Sequence, residues 1–167
     1  MATTYEAIAT VEVGSGGAAS IDFSSIPATY TDLVVKVSGR AASATDFGTV
    51  LLALNSSGSG FTNRQLVGTG SAAVSNTGTT AVGPIPGTLI TASTFNNAEI
   101  YLPNYAGSTN KSYSYDGVLE NNATGARAIL GAGLWSNTAA ITSISLTTDI
   151  GNFVQYSTAT LYGIKNS

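Results

Sequence analysis

The sequence has 167 residues, of which Ser, Thr, Ala and Gly supply half and charged residues only 9%. Its formal net charge is −3, and it contains neither Cys nor His. This composition excludes thiol chemistry, disulfides, His-dependent proton transfer and zinc sites built on Cys or His.

Charge and hydropathy argue against nucleic acid and membranes as direct partners. The six Lys and Arg residues form no basic cluster, so the sequence predicts no positively charged surface that would bind a phosphate backbone. No apolar run approaches the length of a membrane span, and the N-terminus lacks the basic start and apolar core of a signal peptide. We therefore expect no direct nucleic-acid partner and no membrane partner. The length fits a single domain over residues 1–167.

Alternation of apolar and polar residues predicts strands from the start of the chain. In residues 5–13 the odd positions, including Tyr5 and Val11, share one face, and the even positions, including Ile8 and both glutamates, share the other. Residues 20–24 and 31–40 continue this pattern. Residues 49–55 are apolar on both faces, which is typical of a central strand, and residues 61–68 follow as a returning strand.

The alternation is lost between residues 69 and 97. Gly and Pro residues, among them Pro84 and Pro86, interrupt Ser- and Thr-rich sequence there. Loops of this length in a compact domain are usually functional, flexible or ordered only by a partner. We therefore expect one long Gly/Pro/Ser/Thr-rich excursion at about 69–97 that contacts a partner and that the core does not need.

Strand patterns return after residue 97. They cover residues 98–102, 111–119, 126–135, 140–147 and 155–165, with turns roughly every ten residues and no amphipathic helix. Residues 126–133 are rich in Ala and Gly, which would let sheets or subunits approach closely. The whole pattern predicts an all-β fold: a single-domain antiparallel β-sandwich, jelly-roll-like, with about eight to ten strands.

No catalytic constellation stands out. The nine carboxylates are scattered and mostly alternate with apolar residues. The pair Asp116 and Glu120 is open to three interpretations: a glycoside hydrolase pair, calcium-type ligands, or a solvated strand end. The serines have no His as a base, and no Ser-x-x-Lys spacing occurs. We expect no enzyme activity, no cofactor and no metal.

The aromatic residues are the remaining candidates for recognition. Several tyrosines fall close together between residues 101 and 115, and Trp135 stands at a strand end. Their flat amphipathic rings suit core packing, a subunit interface or carbohydrate contact, and the sequence leaves all three open. The candidate interface residues are Tyr5, Pro84, Pro86, Tyr105 and Trp135.

Four segments resemble a known group of proteins. Residues 23–33, 133–146, 151–153 and 157–164 are similar to strand and turn sequences of small β-rich virion proteins of tailed bacteriophages, including cyanophages. The resemblance covers both ends of the chain, whereas residues 68–97 depart from it. These segments carry no catalytic signature, so no site residue is implied.

The resemblance implies a structural role in the virion. Domains of this kind occur as capsid decoration (cement) proteins, commonly homotrimers seated between major capsid proteins on the capsid exterior, and made in the host cytoplasm. They also occur in tail fibres and baseplates, where the alternative role is binding of host-surface glycans. A chain without a long fibrous segment is more similar to the decoration proteins. Low charge fits this role, because isolated charges are expensive to bury in an interface.

Overall fold

The computed structural model describes residues 4–122 and 125–165, and these residues form twelve β-strands. The predicted turn at 121–125 therefore lies partly outside the described residues. The strands are β1 (Tyr5–Glu12), β2 (Ile21–Phe23), β3 (Asp32–Ser38), β4 (Phe47–Leu54), β5 (Phe61–Gly68), β6 (Ala73–Gly78), β7 (Ala81–Pro86), β8 (Asn97–Pro103), β9 (Lys111–Leu119), β10 (Arg127–Trp135), β11 (Ile144–Thr148) and β12 (Thr158–Ile164).

The strands form two antiparallel sheets of unequal width. The wide sheet has eight strands in the order β1-β12-β3-β8-β9-β10-β5-β6, and the narrow sheet has four in the order β2-β11-β4-β7. Strand β2 contacts β1, and β7 contacts β8, β9 and β10. The narrow sheet therefore covers the wide sheet from β1 to about β10, and β5 and β6 project beyond it. The predicted all-β antiparallel sandwich is confirmed, with twelve strands rather than eight to ten.

Apolar side chains from the two facing sheets fill the core. On β3, Leu33 and Val35 are fully buried while Lys36 is exposed, as the alternation predicts. On β4, Val50, Leu52 and Leu54 are buried, and this strand is central in the narrow sheet because it pairs with both β11 and β7.

One strand departs from the predicted alternation because it contains a β-bulge. The register of β1 against β12 shifts between Ala7 and Ala9, so Ile8 is the extra residue. A bulge reverses the assignment of residues to faces beyond it. As a result, Ile8 and Val11 both pack against the core, whereas the sequence pattern placed them on opposite faces.

The prediction of one long excursion over 69–97 is wrong, because the stretch contains β6 and β7. Strand β7 pairs with β4, and its Val82 and Ile85 are fully buried. Strand β7 can contain Pro84 and Pro86 because it lies at the edge of its sheet. Proline has no N–H group, and on the free side of an edge strand no hydrogen bond to a neighbouring strand is lost. The segment 78–87 therefore contributes a paired strand and buried side chains to the core.

Glycines on β10 make room for tyrosine rings of the neighbouring strand. Gly131 pairs with Tyr115 and Gly133 with Tyr113 across the β9–β10 ladder. A Cβ atom at either glycine would overlap the opposite tyrosine ring. Burial raises the pKa of the Tyr115 hydroxyl to about 12. The glycine-rich strand thus accommodates side chains of the same domain, and this determines which face of β10 points inward.

We expect the substitution Gly131→Ala to lower the free energy of unfolding by about 1–3 kcal/mol, because the Tyr115 ring must move to admit the methyl group. Urea denaturation measures the change. Gly14→Ala is the matched control, since a Cβ there meets nothing within 4 Å. Equal stabilities of the two variants would contradict the packing of Tyr115 against Gly131.

Candidate interaction surface

Among residues 4–122 and 125–165, no group of three or more His, Cys, Asp or Glu side chains is placed to hold a metal ion. Asp116 lies on the solvent-facing side of β9, whereas the Glu120 carboxylate accepts hydrogen bonds from the N–H groups of Asn121 and Asn122 at 3.0 and 2.8 Å. Asp116 therefore lies on the strand, and the Glu120 carboxylate is bound to the backbone that follows the strand.

Two of the three aromatic candidates for an interface, Tyr105 and Trp135, belong to the core. Tyr105 is fully buried, and its hydroxyl donates to the carbonyl of Pro27. Trp135 is 1% exposed, stacks on Phe61 with ring centroids 5.9 Å apart, and donates from Nε1 to the carbonyl of Ser59 at 3.2 Å. The prediction that they contact a partner is corrected: their rings and polar atoms are used within the domain.

The two proline candidates are also buried, and Tyr5 alone of the five is exposed. The carbonyl of Pro84 accepts a hydrogen bond from the Asn96 amide at 2.6 Å, and that of Pro86 accepts one from the N–H of Ala41 at 2.8 Å. These bonds join β7 to neighbouring loops. Tyr5 is 49% exposed on β1, so it remains available to a partner.

The structure instead exposes an apolar surface on the wide sheet, on the side facing away from the narrow sheet. Residues of β9, β10 and β5 that alternate with the buried positions form it. Leu130 is 62% exposed, Leu66 54% and Val118 46%. We call this surface the outer apolar face, and it consists of Leu66, Val118, Ala128, Leu130, Ala132 and Leu134.

Strand register makes the outer apolar face continuous. Leu130 pairs directly with Leu66 on β5, and Ala128 pairs with Val118 on β9. Side chains opposite each other across an antiparallel ladder are in contact distance. Leu66, Val118, Ala128 and Leu130, together with Gly68 and Ala73, line a shallow hollow of about 300 Å³. Large contiguous apolar patches on a protein surface often mark an interaction site.

The sequence pattern does not identify this face, because alternation alone does not show which of the two sets of side chains on residues 126–135 points inward. On β10 the leucines point outward and the glycines inward, since the inward space is filled by Tyr113 and Tyr115. A signal was present in the sequence. The two tyrosines and the two glycines have the same two-residue spacing on neighbouring strands, which is the pattern for an aromatic ring covering a cross-strand glycine.

Two of the six cationic side chains point into the domain. Arg40 donates from Nη1 to the carbonyls of Thr91 and Thr94 at 2.9 and 3.0 Å, and Lys111 donates from Nζ to the carbonyl of Gly107 at 2.6 Å. Desolvation lowers the pKa of both groups. Backbone carbonyls rather than carboxylates therefore stabilise these two positive charges. The hydrogen bonds also connect loops to the sandwich.

The remaining cations leave little positive surface. Lys36 pairs with Glu99 at 2.9 Å and Lys165 with Glu6 at 2.7 Å, and the Arg127 guanidinium lies 4.0 Å from the Phe47 ring centroid. Within the outer apolar face itself, every side chain is uncharged. Its charged neighbours in register are Asp116, opposite Leu130, and Arg64, opposite Ala132. A partner that covers the face would meet mainly carbon atoms.

Comparison with known proteins identifies no family. No protein-family model matches the sequence, and no curated protein matches it. Among solved structures, a fructofuranosidase from Schwanniomyces occidentalis complexed with fructosylnystose shares 7% identity with a TM-score of 0.24. The match covers 99% of this chain and 35% of that enzyme. With a TM-score below 0.5, nothing about fold or function follows from it. No helix among the described residues is long and apolar enough to span a membrane.

Proposed function

We propose that this chain is a structural virion protein, a capsid decoration (cement) protein that binds the outer surface of the shell between major capsid proteins and stabilises it. The single observation that carries the proposal is the outer apolar face, a set of exposed uncharged side chains on adjacent strands of one sheet. The sequence resemblance to small phage virion proteins supplies the class of partner. The homotrimer implied by that resemblance stays a prediction about the assembly on the shell, where such trimers sit between capsid proteins.

The properties of the face suit many weak contacts repeated over a shell. Burying apolar area is favourable in proportion to the area removed from water, and burying isolated charge is costly. Leu130 and Leu66 lie side by side on two adjacent strands and supply such area without a charged side chain between them. A decoration protein stabilises its shell by summing this contact over many copies.

Purified shells that lack the chain provide the test. We expect added protein to cosediment with them and to saturate at one copy or fewer per major capsid subunit. We expect Leu130→Asp to weaken this binding about tenfold or more, because it puts a carboxylate into the contact. Binding is measured by cosedimentation over a range of protein concentrations.

Leu89→Asp is the matched control, because Leu89 is 65% exposed, close to the 62% of Leu130, but lies outside the outer apolar face. It should bind like the unmodified chain. Equal losses in both variants would contradict the assignment of the face. Detection of the chain only at the tail tip of native particles would contradict the proposal as a whole.

An aromatic pair supports a second candidate, a tail-fibre or baseplate module that binds host-surface glycans. The Tyr5 and Tyr162 rings meet edge to face with centroids 6.3 Å apart, on the same side of the wide sheet as the Lys36–Glu99 ion pair. Tyr5 is exposed and Tyr162 is half-buried, and tyrosine rings that reach solvent beside charged groups are suited to stacking on sugars and bonding to their hydroxyls.

We expect Tyr5→Ala to lower binding to purified host-surface polysaccharide about tenfold if this second candidate is correct. Tyr156→Ala is the control, because Tyr156 is 64% exposed and lies outside the pair. Binding is measured by isothermal titration with the polysaccharide. Absence of binding by the unmodified chain would exclude this candidate.

A further inference from the structure

Four strands lie at the edges of the two sheets, and three of them carry features that block further strand pairing. Strand β1 has its bulge at Ala7/Ala9 and the carboxylates of Glu6 and Glu12. Strand β2 has only three residues, with a charged residue at its centre. Strand β7 carries Pro84 and Pro86, which lack an N–H. Bulges, charges, shortness and proline are the usual protections of an edge.

Strand β6 is the fourth edge, and it has none of these protections. It runs for six residues from Ala73 to Gly78 with the sequence AVSNTG, without charge, proline or register shift. Its first five residues are exposed. It pairs with β5 on one side, and on the other no strand lies against it in the part of the chain that the structure describes. Alternate N–H and C=O groups therefore point to solvent.

We propose that β6 is a self-association edge, at which two copies of this chain pair β6 to β6 in antiparallel orientation across a two-fold axis. The two wide sheets of eight strands then form one continuous sheet. A strand supplies the hydrogen-bond partners that the free edge requires, and an uncharged strand can pair with its own copy without like-charge repulsion.

A second copy fits this edge better than another edge of the same chain does. Pairing β6 with β1 of a neighbour would set the bulge at Ala7/Ala9 against a regular strand, with Glu6 and Glu12 along the contact. Pairing β6 with β6 uses both free edges and leaves only protected edges exposed. The assembly therefore closes at two copies and does not propagate into a fibre.

The two-fold pairing also joins the apolar surfaces of the copies. Residues Ala73, Ser75 and Thr77 lie on the same side of the sheet as Leu66, because Ser75 pairs with Leu66. In the pair, the two outer apolar faces lie on one side of the continuous sheet, separated by these small β6 residues. On the other side of the sheet, Val74, which is 42% exposed, lies close to Val74 of the second copy or to the residues next to it in that copy. The pairing itself does not depend on shell binding.

Charge substitutions at Ser75 test the pairing in solution, without any shell. By native mass spectrometry and sedimentation velocity, we expect the unmodified chain to give twice the chain mass of 16.8 kDa. Ser75→Lys and Ser75→Glu should each give single chains, with the dissociation constant raised about tenfold or more by like charges across the axis. An equimolar mixture of the two variants should restore a pair that contains one chain of each.

Ala9→Lys is the control, because it adds the same charge at an exposed position of the opposite edge; it should remain paired. Hydrogen exchange of the unmodified chain gives a readout that needs no variant: exchange at residues 73–78 should slow as protein concentration rises. A single chain throughout the micromolar range, a pair that survives both Ser75 variants, or a three-chain species that they leave intact would overturn the proposal.

Discussion

An eight-stranded sheet packs against a sheet of only four strands. Because the two sheets differ in width, part of the wide sheet stays uncovered and is available to a partner. The narrow sheet covers one side of the wide sheet as far as about β10, and no third layer covers the other side in the described residues. An antiparallel sheet tolerates such a solvated face when its outward residues are polar. Here part of that face is apolar, and one edge is unprotected. Both features lie at the same end of the wide sheet.

The packing of tyrosines against glycines explains why the exposed part is apolar. Tyr113 and Tyr115 fill the inward space opposite Gly133 and Gly131, so the leucines that alternate with these glycines must point outward. The same interaction that completes the core thus creates the outer apolar face. The charges that would make such a face soluble are scarce in this chain, and two of its cations are directed into loops by backbone carbonyls.

Much of the fold follows from local patterns in the sequence. Strands β3 and β9 show an alternation that neighbouring residues determine, and the inward residues it indicates are buried. Strand β4 lies at the centre of its sheet, as its apolar residues on both faces indicate. Strand β7 was missed because Pro and Gly normally exclude a strand, and its position at a sheet edge is a property of the whole fold. The faces of β1 were misassigned beyond Ala7 because a bulge depends on pairing with a distant strand.

The candidate surface was harder to predict than the fold, for a related reason. Tyr105 and Trp135 are the residue types that interfaces favour, but a chain rich in small residues needs large rings to fill its core, and both rings are buried. Leu130 and Leu66 are exposed because of what lies on the opposite side of their strands. Neither outcome can be derived without knowing which strands are neighbours.

The account depends on the outer apolar face as the surface that contacts the shell, and a cryo-electron microscopy map of purified particles carrying this chain tests it most directly. The account predicts density for the wide sheet lying against the shell through Leu66, Val118 and Leu130. A map in which that face points to solvent, with the shell contacted through the narrow sheet, would contradict it.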